Sequence, residues 1–233
     1  MALCTDAAMV LYYDIAGDNA DHDDWHTCEH LHERLSIPGF VRATRWVARE
    51  GAPRYMVIYE VTGTDIARSP AYLARLNDPT PWTRAMMSRF RGMVRGFCHV
   101  LASSGYGMGN AVLSVRFTPR QGEEPELRKR LANELLPSLA SQRGMAGAYL
   151  LQPAPPPPMT QEQTLRGPDT PMSWLVLVTA YEAQALERMG ATHLFAEALA
   201  TSRVNVGSYA LQYMASAQEV ARTPPGPPRG ARA

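Results

Sequence analysis

The order of β-rich and helical runs in this chain occurs twice. The first round opens with AAMVLYYDI, a run rich in Val, Leu and Tyr that predicts a strand. DHDDWHTCEHLHERL predicts a helix. Asp21, Asp23 and Asp24 lie near its start, where the helix dipole favours negative charge, and Pro38-Gly39 lies beyond its end. FVRATRWVA and RYMVIYEV read as a strand pair around the turn at Glu50-Gly51-Ala52-Pro53. Thr64 to Arg91 reads as helix broken at Pro70, Pro79 and Pro81, and GMVRGFCHVLASS as a fourth strand. The second round runs NAVLSVRFT, EEPELRKRLANELLPSLASQ, GMAGAYLLQ, SWLVLVTAYE, then EAQALERM with HLFAEALATS, then VNVGSYALQYMAS. Each round is βαββαβ, the split βαβ or ferredoxin-like unit. Local echoes support the repeat: IPGFVRATRWV matches QRGMAGAYLLQ, and YMVIYEVTGTDIARS matches WLVLVTAYEAQALER.

A four-stranded unit of this kind covers one sheet face with its own helices and leaves the other bare. MVLYY, YMVIY and LVLV are apolar on both parities, the pattern of strands covered on both faces. The predicted fold is therefore α+β: two tandem ferredoxin-like units, residues 1–107 and 108–216, packed sheet to sheet as a pseudo-dimeric α/β barrel. The Pro-rich segment 153–171 reads as an extended hairpin loop inside the second unit. The end of the chain, 217–233, with its TPPGPPRGARA, reads as a disordered tail.

A formal net charge of +1 provides no electrostatic case for nucleic acid or an anionic membrane as partner. No apolar run approaches the roughly 20 residues of a membrane helix, and the N-terminus lacks the basic region of a leader peptide. Cys4, Cys28 and Cys98 are widely spaced, without a CxxC pair, which argues against a disulfide framework and fits a reducing cytoplasm. The expectation is a cytoplasmic protein that binds a small molecule and is open to homodimerisation.

Residues 21–40 carry four of the six histidines. On an α-helix, His22, His26, Glu29, His30 and Glu33 fall within about 100° of one another. Trp25, Cys28, Leu31 and Leu35 form a separate stripe suited to packing on the sheet. The corresponding helix of the second round, ELRKRLANELLPSLASQ, has no histidine, which points to one functional half and one scaffold half. His22, His32 and Glu33 read as a solvated face. His26-Thr27-Cys28-Glu29-His30 also spells the inverted zincin pattern H-x-x-E-H, a short match for which no third ligand is evident.

The stretch W..CEHLHERLSIPGF..ATRW followed by PRYMVIYE resembles the dimeric α/β-barrel superfamily of ferredoxin-like proteins, its EthD-like and related branches above all. Trp25, Glu29, His30, Pro38, Gly39, Phe40, Arg42 and Arg45 carry the likeness, with PTPWT at 79–83. It covers most of the first round by motif and the second by topology. The resemblance implies a ligand cavity between sheet and helices. It does not imply one chemistry, because the superfamily includes lactone isomerases, decarboxylating and dehydrating enzymes, cofactor-free monooxygenases and haem proteins.

His30, at the matched Glu-His position, is the leading catalytic candidate, with His26 beside it. A histidine poised near neutral pH passes a proton to or from a ligand, and Glu29 is placed to orient the ring. Arg42 and Arg45 lie on opposite parities of one strand, so one of them points into a cavity and holds a carboxylate, or forms a salt bridge instead. Tyr13, Tyr59, Trp82 and His99 are substrate-binding candidates or core residues, as is Tyr55; Cys28 reads as buried, and His193 as surface. The expected function is a lyase or isomerase without an organic or metal cofactor, acting on a small organic acid, lactone or aromatic intermediate. The alternatives are a haem or metal protein using the same histidines, and a non-catalytic binding or accessory protein.

Overall fold

The computed structural model describes residues 3–51, 53–189, 195, 199 and 204–223. The first unit runs β1 (Ala7–Ile15), α1 (19–35), β2 (Phe40–Ala48), β3 (Tyr55–Val61), a 3₁₀ turn at Thr64–Arg68, α2 (Pro70–Asn77), α3 (Pro81–Met87) and β4 (Phe90–Gly105). The second runs β5 (Ala111–Phe117), α4 (124–140), β6 (Met145–Pro153), α5 (Gln161–Arg166), the two-residue β7 (Thr170–Pro171), β8 (Trp174–Ala180), α6 (Ala183–Arg188), β9 (Val204–Ser216) and α7 (Ala217–Arg222). Pro70 and Pro81 start helices and do not break one: the Ser69 and Thr80 hydroxyls cap α2 and α3 by accepting from the Tyr72 and Thr83 amides.

Within each unit the strand order is that of a ferredoxin-like sheet, β4-β1-β3-β2 and β9-β5-β8-β6. The long fourth strands join the units. The first half of β4 pairs with β1 and its second half with β6, while β9 pairs first with β5 and then with β2. All eight long strands therefore close into one antiparallel barrel, which leaves none of them as an open edge. Alternating side chains divide the interior into three cores. Val10, Tyr12, Trp46, Ile58, Tyr149 and Leu177 fill the barrel. Trp25, Leu31, Phe40, Tyr59 and Phe97 pack under the first unit's helices, and Leu131, Leu136, Leu150, Val176 and Phe195 under the second's.

The echo between the two units extends to backbone conformation. Gly39 and Gly144, which lead into β2 and β6, both adopt left-handed φ, +95° and +91°. A Cβ on Gly39 would lie 2.2 Å from the Ile66 side chain. Gly39→Ala is expected to lower stability by more than about 1 kcal/mol, measured by denaturant unfolding.

Two expectations change. Residues 217–222 are helical and not disordered: Ser216 and Glu219 form a capping box, and Val220 packs on the first unit's core. Residues 224–233 lie outside the described residues, as do His193 and most of HLFAEALATS. The 153–171 segment is more than a hairpin loop. It contains α5 and β7, and β7 pairs with β4 at Val94 and Arg95, so this insertion of the second unit lies against the first.

Candidate active site

The helix α1 is α-helical at Asn19–Trp25, makes a π-helical turn at His26–His30, and returns to α at Leu31–Leu35. His22, His26, His30 and Arg34 stand four residues apart. In an uninterrupted α-helix such a row drifts by about 40° per step. The wider π turn between His26 and His30 turns the row back, so that His22 meets Tyr13, His26 meets Tyr59 and Arg34 meets Glu162 of α5. The second unit's helix has its own π turn at the matching place, Leu131–Leu135. The irregularity therefore belongs to the repeat, and the imidazoles are the first unit's addition to it.

The middle pair of the row, His26 and His30, faces a cleft between sheet and helices with about 30 Å³ of room for water. Leu11 and Tyr13 of β1, Val57 and Tyr59 of β3, and Phe90 and Met93 of β4 line the sheet side. His26, His30 and Met87 line the helix side, and Glu162 and Arg166 of α5 close it. The cleft thus belongs to the first unit with a wall supplied by the second, so the second half is more than scaffold. A larger open groove of about 540 Å³ lies on the second unit beside α4, lined by Arg128, Lys129, Asn133 and Trp174 among others. Its polar groups at Arg128, Lys129 and Asn133 are exposed, whereas two buried and unpartnered ones, on His26 and His30, line the first cleft. Among the described residues, the buried polar side-chain atoms without a hydrogen-bond partner are His26 Nδ1, His30 Nδ1, Arg34 Nη1, Thr160 Oγ1 and Gln163 Oε1. All five belong to α1 or to the start of α5, where Thr160 is the cap residue and Gln163 lies in the first turn.

His22, expected on a solvated face, is fully buried. Its Nδ1 lies 3.0 Å from Asp23 Oδ1 and its Nε2 3.1 Å from the Tyr13 hydroxyl, a chain that leads from a half-buried carboxylate to a phenol on the cleft. His26 Nε2 lies 3.3 Å from the Tyr59 hydroxyl. The rings of His22 and His26 are 5.5 Å apart, those of His26 and His30 5.7 Å, and Trp25 stacks on His30 at 4.3 Å. His30 keeps some accessible surface where it meets the cleft and is otherwise enclosed.

Burial holds His26 and His30 well below the ordinary histidine pKa, reinforced for His26 by the charges of Arg45 and Arg34 and for His30 by those of Arg34 and Arg166. Both are neutral at pH 7, not poised near it as the sequence suggested. Burial also lowers His22, although its bond to Asp23 works the other way. For Asp23 burial raises the pKa, but bonds from His22 and Gln212 and the charge of Arg45 prevail and hold it at about 2. Burial keeps the Tyr13 phenol protonated, far above its usual value.

Of the residues singled out from sequence, His26, His30, Tyr13 and Tyr59 meet at this cleft. Glu29 does not orient an imidazole: its Oε1 accepts from the Thr80 hydroxyl at 2.6 Å and the Thr83 hydroxyl at 3.2 Å, pinning the start of α3 to α1. Arg42 and Arg45 do point to opposite sides of β2, yet neither lines the cleft. Arg42 faces the barrel and pairs with Glu60 at 2.5 Å. Arg45 reaches α1, donating to the Asp23 carbonyl and the Thr27 hydroxyl, and meets Gln212 on β9. Trp82 packs in the first unit's core, and His99 is exposed on β4, 3.4 Å from the Thr64 hydroxyl. The H-x-x-E-H pattern does not assemble a ligand set: among the described residues no three His, Cys, Asp or Glu are grouped to hold a metal ion. Sequence reasoning missed Arg34, Glu162 and Arg166. The four-residue row from His22 extends to Arg34, and Glu162 and Arg166 are an i,i+4 pair, but the contact across 128 residues has no local mark.

No protein-family model matches the chain, and no curated protein matches it. Solved structures do. An anthrone oxidase-like protein superposes with a TM-score of 0.65 at 10% identity, covering 93% of this chain and 96% of its own. A candidate monooxygenase from Lactobacillus acidophilus NCFM gives 0.57 at 10% identity, over 91% and 96%. A candidate monooxygenase from Fusobacterium nucleatum gives 0.51 at 8% identity, over 91% and 95%. Strand order, barrel closure and these likenesses agree that the chain has the ferredoxin-like dimeric α/β-barrel fold, with both units in one polypeptide.

Proposed function

We propose that the chain is a small-molecule enzyme without an organic cofactor, in which His30, with His26 beside it, is the general base for a ligand with an apolar body. The observation that carries this reading is the pair of buried, neutral imidazoles, each with an unpartnered Nδ1, on a cleft otherwise lined by Leu, Val, Met and aromatic side chains. An unpartnered buried polar atom has a cost and calls for a use. A neutral imidazole is already in the form that takes a proton, whereas it has none to spare as a general acid. Among the expected reaction types this favours those that begin with proton abstraction, such as isomerisation, over acid-first dehydration. The Tyr13 phenol, kept protonated and tied through His22 to Asp23, is placed to return a proton. Solved neighbours named as anthrone oxidase-like and candidate monooxygenase favour a second reading of the same first step, in which the deprotonated ligand reacts with oxygen.

The test is proton exchange. Lactones and phenolic aromatics incubated with the protein in D2O should gain deuterium at an acidic C–H, read by NMR. His30→Gln should slow exchange by about 10²- to 10⁴-fold. Repeating the reaction under argon separates isomerisation from oxidation. Exchange that is unaffected by His30→Gln, or a haem band in the visible spectrum of the freshly purified protein, would overturn the reading.

A further inference from the structure

Five charged side chains, each no more than 6% exposed, meet along the seam between α1, β4 and the α5 insertion. Arg34 Nη2 holds both carboxylate oxygens of Glu162, at 2.6 and 2.5 Å. Asp169 takes Arg95 at 2.9 Å and Arg166 at 2.8 Å. Three guanidiniums thus face two carboxylates, and the histidines beside them are neutral. Glu33, partly exposed, is engaged by Arg75, and Glu29 by two threonines, so neither enters these pairs. A surplus positive charge kept from water is expensive unless an anion answers it. The unpartnered donor of Arg34, Nη1, lies in the same seam, as do the unpartnered Thr160 hydroxyl and the Gln163 amide, which can present either end.

Building on the enzyme reading above, we infer that this seam is the anion subsite of the cleft, and that the ligand is an organic acid. Its carboxylate is received by Arg166 and by Arg34 behind Glu162, while its apolar body displaces the pliable Met87 and Met93 side chains, since the free space of about 30 Å³ admits only a water or two. The sequence-based choice of Arg42 or Arg45 for that task is replaced by two arginines that adjoin the cleft. The insertion explains why the arrangement exists in one unit only: the β2–β3 connection spans residues 49–54, whereas the matching β6–β8 connection spans 154–173 and carries Thr160, Glu162, Gln163, Arg166 and Asp169. Burial is the main cause of the low His30 pKa; a bound carboxylate would offset only the smaller part contributed by the Arg34 and Arg166 charges.

The experiment compares benzoate with its neutral isostere benzamide on the intact protein, following the imidazole ¹⁵N resonances of His26 and His30. Benzoate is expected to perturb both and to bind at least about 10-fold tighter than benzamide, the size of one charge-assisted hydrogen bond. Arg166→Gln, which leaves Asp169 paired with Arg95 and removes the surplus charge, should bring the benzoate-to-benzamide ratio measured on the same variant close to one. Equal binding of the two probes at the histidines would overturn the anion subsite and leave the enzyme reading intact. Benzoate that binds without perturbing the histidines would also overturn it. Failure of both probes to reach the histidines would remove the cleft as a ligand site altogether.

Discussion

Glu162→Ala is expected to destabilise the protein by about 3–5 kcal/mol, because it leaves the Arg34 charge buried without a partner. The side chains of Arg34 and Glu162 are each 3% exposed, and they join helices 128 residues apart in the chain. For a chain of this size the loss corresponds to a fall in Tm on the order of 10 °C, readable by calorimetry. The pair itself is not the source of stability, since the desolvation of both charges offsets much of their attraction. The double replacement Arg34→Met/Glu162→Leu is therefore expected to recover most of the loss. A Glu162→Ala protein as stable as the parent would mean that α5 does not rest on α1 as described.

How much of this was legible beforehand follows the range of each interaction. The barrel could be read from MVLYY, YMVIY and LVLV, because burial on both sheet faces is written locally, residue by residue. The role of the fourth strands could not: the 16 residues of β4 and 13 of β9 look like ordinary strands until their second halves find β6 and β2. His26 and His30 were recognisable because a cluster absent from the second unit needs a reason. His22 was misjudged because it was read as solvated although ideal α-helical spacing already grouped it with His26 and His30; it is fully buried against Tyr13. Glu29 was misjudged because adjacency to His30 in sequence does not give its carboxylate the same direction; it turns to Thr80 and Thr83. The arginine that mattered was not on β2 but one step further along the histidine row, at Arg34, and its partner sits in a segment that read as a loop.

Acid should unfold this protein early. A histidine whose folded pKa lies below its unfolded value of about 6.5 binds a proton more readily in the unfolded chain. Its contribution is complete above about pH 6.5 and is lost as pH falls below that value toward the folded pKa. His26 and His30 are both held well below the ordinary value by burial and by nearby arginines. Between its unfolded and folded pKa each removes about 1.4 kcal/mol per pH unit, together about 3, against roughly 5–15 kcal/mol for a typical domain. Asp23 adds to this loss only below its ordinary carboxylate value of about 4, and the loss is complete once the pH has passed the folded value of about 2. Urea unfolding between pH 7 and pH 5 should show the steep fall, and His26→Phe/His30→Phe should flatten it. A flat profile in the parent protein would contradict neutral, buried imidazoles.

The most direct measurement is an NMR pH titration of the imidazole nitrogens, practical with only six histidines to assign. Single His→Gln variants identify the His26 and His30 signals. The expected result is that both rings keep the nitrogen shifts of neutral imidazole as the pH passes below 6.5, until the protein itself unfolds. Protonation of His30 at or above the ordinary value, in the folded protein without ligand, would contradict the buried neutral base on which the proposed chemistry stands.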